Sequence, residues 1–104
     1  MTGQVDAVDR AKYPAPVDHG TVADSWRGQG YSCYSMTDPP GQEWNDFVHS
    51  TNELLTVLEG RLELTLDGEK VTVGPGDEVF IPRDILHSVR NVNSGKTRWL
   101  FGYD

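Results

Sequence analysis

The stretch Leu62-Glu63-Leu64-Thr65-Leu66-Asp67-Gly68-Glu69-Lys70-Val71-Thr72-Val73 reads as two strands folded back on one another. Leucines at 62, 64 and 66 alternate with Glu63 and Thr65, a period of two that sends the apolar side chains to one face. Asp67-Gly68 is a residue pair favoured in two-residue hairpin turns, and Val71 and Val73 resume the alternation after it.

The same pattern continues outward. Gly74-Pro75-Gly76-Asp77 is a second turn, and residues 78–82 and 86–92 read as strands on either side of Pro82-Arg83-Asp84. In the closing strand, 97–103, Trp99, Phe101 and Tyr103 share a face. Toward the N-terminus, residues 53–59 are apolar on both faces: Leu54 and Leu58 on one, Leu55 and Val57 on the other. Asp38-Pro39-Pro40-Gly41 forces a loop, because proline lacks a backbone donor and glycine permits a tight return. Before it, residues 30–36 have the aromatic and small polar character of a strand. No stretch of ten or more residues shows a helical period. The fold class expected is all-β, with strands spaced as in a sandwich or closed barrel. Residues 1–20, with Pro14, Pro16 and Gly20 and few large apolar groups, are expected to be an irregular N-terminal arm, and residues 21–104 the barrel.

A chain of 104 residues has room for one domain of this kind. Its net charge of −7 leaves no basic stripe for phosphates, so no nucleic acid and no anionic membrane is expected as a partner. Cys33 is the single cysteine, so no internal disulfide can form, which suits a reducing compartment. No apolar run has the length of a membrane span or the shape of a secretion signal, and a cytoplasmic location is the expectation.

Two stretches resemble the paired signature motifs of the cupins. The first family motif runs His-x-His, three or four residues, Glu, six residues, Gly. Here three residues separate His49 from Glu53, and six separate Glu53 from Gly60. The second runs Gly, five residues, Pro-x-Gly, two residues, His, three residues, Asn, and is met by Gly76, Pro82, His87 and Asn91. The wider set Trp44-Asn45-Asp46-Phe47, Glu53-Leu54, Glu59-Gly60 and Arg98–Tyr103 is similar to a group of small, stand-alone, single-domain bacterial cupins. Membership of that group implies the barrel and no particular reaction. The resemblance implies a double-stranded β-helix, or jelly roll. Two positions depart from the pattern. Phe47 stands where the first motif histidine belongs, and Asp84 where the second motif has glycine, a place that aspartate tolerates through its access to left-handed backbone.

By the same resemblance, His49, Glu53 and His87 are the expected ligands of a divalent metal: zinc, iron, manganese or nickel. Imidazole nitrogens and a carboxylate suit all four, and such a triad leaves coordination positions open for water or substrate. Phe47 lies two residues before His49 and is expected to face the same pocket, as core or as an apolar wall; Asn45, two residues earlier again, is expected on that face as a polar contact. Trp99, Phe101 and Tyr103 are expected at the core and rim bordering the pocket. Tyr34 is also expected in the substrate pocket, Tyr34 and Tyr103 are candidate bases, Asn91 is a structural residue, and Trp26 and Trp44 belong to the rim or to a subunit contact.

Three functional readings follow. The first is a metal-dependent protein acting on or binding a small polar or aromatic metabolite, such as an oxygenase or isomerase. The second is a metabolite-binding or sensing module, which would need a separate partner to reach DNA because the chain has no DNA-reading helix. The third is a metal-free cupin with His49 or His87 as base. The two-sided apolar strand at 53–59 needs cover on both faces. A second sheet supplies one, and either the arm or a twin subunit the other, with a homodimer the expectation.

Overall fold

The central hairpin forms β5 (Leu62–Leu66) and β6 (Glu69–Val73), with Leu62 opposite Val73 and Leu66 opposite Glu69, in a computed structural model that describes residues 7–104. Asp67 and Gly68 both take positive φ, 48° and 86°, giving the turn whose twist matches that of the two strands. Around this hairpin lie β1 (Val8–Asp9), β2 (Tyr34–Asp38), β3 (Glu43–Phe47), β4 (Glu53–Glu59), β7 (Glu78–Ile81), β8 (His87–Asn91) and β9 (Thr97–Tyr103). They pair antiparallel in two sheets, one ordered β1-β7-β4-β9-β2 and the other β3-β8-β5-β6. The inward faces meet in one core, in which Leu55, Val57, Leu62, Leu64 and Val79 have no solvent exposure. The expected jelly roll is therefore the fold, and the alternation of Leu62, Leu64 and Leu66 is what faces the core.

Asn91 has the structural role expected of it. Buried at the end of β8, its amide donates to the carbonyls of Asp38, Pro39 and Gly95, and its oxygen accepts from Thr97 Oγ1 at 2.7 Å. Asp84 sits at φ 65°, the left-handed conformation its position demands.

The N-terminal third corrects the sequence reading. An α-helix, α1 (His19–Gly28), occupies residues expected to be strand or arm, and β2 starts at Tyr34 rather than at residue 30. Asp18 caps the helix, accepting from Thr21 N at 2.9 Å. Only Val22 and Trp26 on this helix are buried, four residues apart, so its apolar stripe is too short to register as a period. The arm is not wholly irregular either, since Val8 and Asp9 pair with Val79 and Glu78; its residues 1–6 lie outside those described.

Helix and arm together cover the outer face of β4. Leu54 and Leu58 are buried there with Tyr13, Val22, Trp26 and Leu100. The two-sided burial expected of this strand is present, but its cover is the chain's own arm and helix, which removes the ground for a twin subunit on that face. Gly76, at φ 87°, lies so close under the arm that a Cβ there would collide with the Tyr13 carbonyl oxygen.

A buried carboxylate anchors this cover. Glu78 Oε1 accepts from Trp26 Nε1 at 2.7 Å and from the Tyr13 hydroxyl at 3.0 Å, while Oε2 accepts from Lys12 Nζ at 2.7 Å. Burial and the Glu78 carboxylate push the Tyr13 phenol up from its ordinary value near 10.0. Burial alone would lower Lys12, but its bond to Glu78 outweighs that and the net direction is also upward. Both groups are protonated more readily in the folded chain than in the unfolded one. Their contribution is complete below the unfolded values and lost as pH rises through the folded ones. The urea midpoint is therefore expected to fall as pH passes about 10, and a midpoint level from pH 8 to 11 would contradict this.

Candidate metal centre

Three elements bring the motif residues together. His49 follows β3, Glu53 opens β4 and His87 opens β8. Glu53 is opposite Tyr103 on one side and Ile81 on the other, while His87 is opposite Leu66 and Phe47 on the second sheet. The loops carrying the two motifs are joined directly, Asp84 N donating to the His49 carbonyl at 2.7 Å.

One ligand atom from each of His49, Glu53 and His87 lies within 4.8 Å of the others. Glu53 Oε1 is 3.5 Å from His49 Nε2 and 3.4 Å from His87 Nε2. Glu53 and His87 are buried, and His49 is half-buried. His87 Nδ1 is 3.0 Å from the Ile85 carbonyl. A carbonyl only accepts, so Nδ1 carries the proton and neutral His87 presents the Nε2 lone pair to Glu53. Glu53 Oε1 is itself buried without a hydrogen-bond partner among the described residues. The Nε2 lone pair of neutral His87 thus faces a buried carboxylate oxygen that has no hydrogen-bond partner, with His49 Nε2 beside both, an arrangement that asks for a proton or a cation. The residues present fit a divalent metal.

The electrostatics agree. Burial lowers the proton affinity of His87, but the Glu53 carboxylate and the Ile85 carbonyl outweigh it, and the net direction is upward. Tyr103 is pushed up to about 12 by burial, with help from the Glu53 charge. It is a neutral phenol at physiological pH and can donate a hydrogen bond, which counts against the part of base considered for it from sequence.

His49, Glu53 and His87 together line a cavity of about 210 Å³. Phe47, Trp99, Phe101 and Tyr103 also line it, with Met36, Trp44 and Val89, which the sequence reading did not place there. Phe47, partly exposed, lies nearly parallel to the His49 ring, centroids 6.0 Å apart. Asn45 is not in the cavity. It lines a separate polar depression with Glu63 and Arg90, and its amide donates to Glu43. The cause is a β-bulge: register shifts between Trp44 and Phe47, where Asp46 takes φ 63° and donates its N–H to Ser88 Oγ at 3.0 Å. The strand's alternation breaks there, so Trp44 rather than Asn45 shares the cavity with Phe47. Tyr34 is exposed and packs at a tilt against Phe101, 5.5 Å between centroids, without lining the cavity. Trp26 belongs to the helix-facing cluster on the far side of the sheet. Burial pushes the half-buried Cys33 thiol up, leaving it a weak nucleophile.

A family model described as cupin domain matches residues 34–103. The chain belongs to that family. It is 48% identical over 81 residues to quercetin 2,3-dioxygenase of Bacillus subtilis, covering 75% of this chain and 24% of that protein. It is 36% identical over 63 residues to the polyketide synthase CurC of Streptomyces cyaneus, covering 60% of this chain and 41% of that one. The cupin chain thus spans less than half the length of either relative. Among solved structures, the polyketide cyclase RemF of Streptomyces resistomycificus superposes with a TM-score of 0.63 at 27% identity, covering 70% of this chain and 53% of the other. No helix among the described residues of this cupin is long and apolar enough to cross a membrane.

Proposed function

We propose that this cupin holds a divalent metal through His49, Glu53 and His87 and that a small polar or aromatic metabolite binds beside it. The observation carrying this reading is the buried, unpartnered Glu53 Oε1, faced at 3.5 and 3.4 Å by two imidazole nitrogens. When bound, such an ion supplies a Lewis acid that polarises an oxygen of the ligand, which serves oxygenation or isomerisation. The chain's own residues do the rest. The Ile85 carbonyl fixes the His87 tautomer, Phe47 and Trp44 keep water from the ligand's apolar body, and the neutral Tyr103 phenol can donate to an oxygen placed near the triad. Two of the relatives are a dioxygenase and a polyketide synthase by name, in keeping with this reading.

A second reading has its own observation. The upward direction of His87 allows a proton to sit where the cation would, making an imidazolium–carboxylate pair in a metal-free binding barrel. Metal titration separates the two. The wild type is expected to take up near-stoichiometric zinc, iron, manganese or nickel, and His49→Ala and His87→Ala to lose it. Phe47→His, which supplies the missing motif histidine, is expected to tighten binding by about tenfold or more, or 1.4 kcal/mol. A wild type that takes up none of the four metals after incubation would leave the metal-free reading.

A further inference from the structure

We infer that the cavity is a slot for one planar aromatic ring carrying an oxygen donor, a phenol- or catechol-type ligand, and that it excludes polycyclic aromatics. The oxygen's partner rests on the metal reading above; the ring rests on the walls alone. Those walls are Met36, Trp44, Phe47, Trp99, Phe101 and Tyr103, whereas the polar atoms of His49, Glu53 and His87 cluster within 4.8 Å of one another. A complementary ligand has an apolar body and a single polar edge. Aromatic walls favour a ring over an aliphatic body of equal size, because ring faces and edges attract one another electrostatically in offset and edge-to-face contacts.

The size limit follows from volume and from rigidity. A cavity of about 150 Å³ holds benzene, and pockets for drug-sized molecules begin at about 300 Å³. At about 210 Å³, this one suits a single substituted ring. Its walls are also tethered. Asp38, 2% exposed, accepts through the same Oδ2 from Trp44 Nε1 and from Trp99 Nε1, each at 3.0 Å. Phe101 is wedged between Trp99 at 5.2 Å and Tyr103 at 6.0 Å. The two indoles cannot move apart without breaking a buried charge-assisted bond. Phe47 packs beside both histidines, 6.0 and 6.2 Å between centroids, and fills space on the triad's side that a second fused or linked ring would need.

The test uses zinc-loaded ¹⁵N-labelled protein and the indole N–H signals of its tryptophans. Trp44 and Trp99 report the cavity, and Trp26, on the far side of the sheet, is the internal control. Catechol is expected to shift the Trp44 and Trp99 signals and leave Trp26 in place, with affinity at least tenfold above that of cyclohexane-1,2-diol. Quercetin is expected to move neither signal in the wild type and both in Phe47→Ala. Equal response to catechol and the saturated diol, or a response of the wild type to quercetin, would overturn the inference. Zinc content is measured on the same sample. If zinc is bound and catechol leaves Trp44 and Trp99 unmoved, the ring inference falls while the metal reading stands. If zinc is not bound, the metal reading falls, and phenol against cyclohexanol on the same protein decides the ring: preference for phenol upholds it, and equality overturns it.

Discussion

Glu78→Ala is expected to lower the unfolding free energy by about 3–5 kcal/mol, on the order of 20 °C in Tm for a domain of this size. The substitution removes one acceptor and leaves two buried donors, Trp26 Nε1 and the Tyr13 hydroxyl, without partners. Each such orphan costs about 1–3 kcal/mol. Lys12 adds little, because its ammonium is about a third exposed and can return to water, so Lys12→Ala alone is expected to cost under about 1 kcal/mol. Glu78→Gln keeps one carbonyl for the indole and should fall between the two. The damage is expected to be local at first, with helix α1 and the arm lifting from β4, Trp26 fluorescence moving to the red, and proteolysis beginning in the arm. Urea denaturation of the three variants checks the ranking. Glu78→Ala within 1 kcal/mol of wild type would show that the arm and helix are held without help from this carboxylate.

At the candidate metal centre, Glu53→Gln is expected to reverse the usual link between a buried charge and stability. Glu53 is 4% exposed, and the energetic cost of keeping a carboxylate there is several kcal/mol unless a cation or proton offsets it. The amide has nearly the same shape and can donate to an imidazole nitrogen. Metal-free Glu53→Gln is therefore expected to be at least as stable as metal-free wild type, while its metal affinity falls more than about a hundredfold. Metal at a hundred times the Kd adds about 2.7 kcal/mol to the wild type and should add nothing measurable to the variant. Thermal unfolding with and without metal reads both effects. A metal-free variant less stable than wild type by more than 1 kcal/mol would make the carboxylate a structural residue.

The part of this molecule legible in its sequence is the part governed by short, strict periods. Leu62, Leu64 and Leu66 announce a strand because a period of two needs only five residues to be seen. The clustering of His49, Glu53 and His87 is legible because the two motifs keep their spacing here despite Phe47 and Asp84. What was hidden depends on contacts between distant residues. Helix α1 buries two side chains and so carries almost no periodic signal, though Asp18 as cap with Val22 and Trp26 four apart was a trace of it. Glu78 was placed only as the first residue of a strand; that Tyr13 and Trp26 close over it depends on residues more than fifty positions away. Asp38 looked like a turn residue and is instead the common anchor of Trp44 and Trp99. Asn45 was misplaced for a local reason, because period-two counting assumes an unbroken pleat.

That break has a consequence of its own. The exposed residue Asp46 faces no ligand, yet its left-handed backbone decides whether an indole or an amide borders the slot on that side. A β-branched residue there would disfavour φ 63° and press β3 toward regular alternation, turning Asn45 inward and Trp44 out. The wall's polarity is thus stored as parity, one residue more than the pleat requires, and a change in strand length could invert it as effectively as a change of side chain.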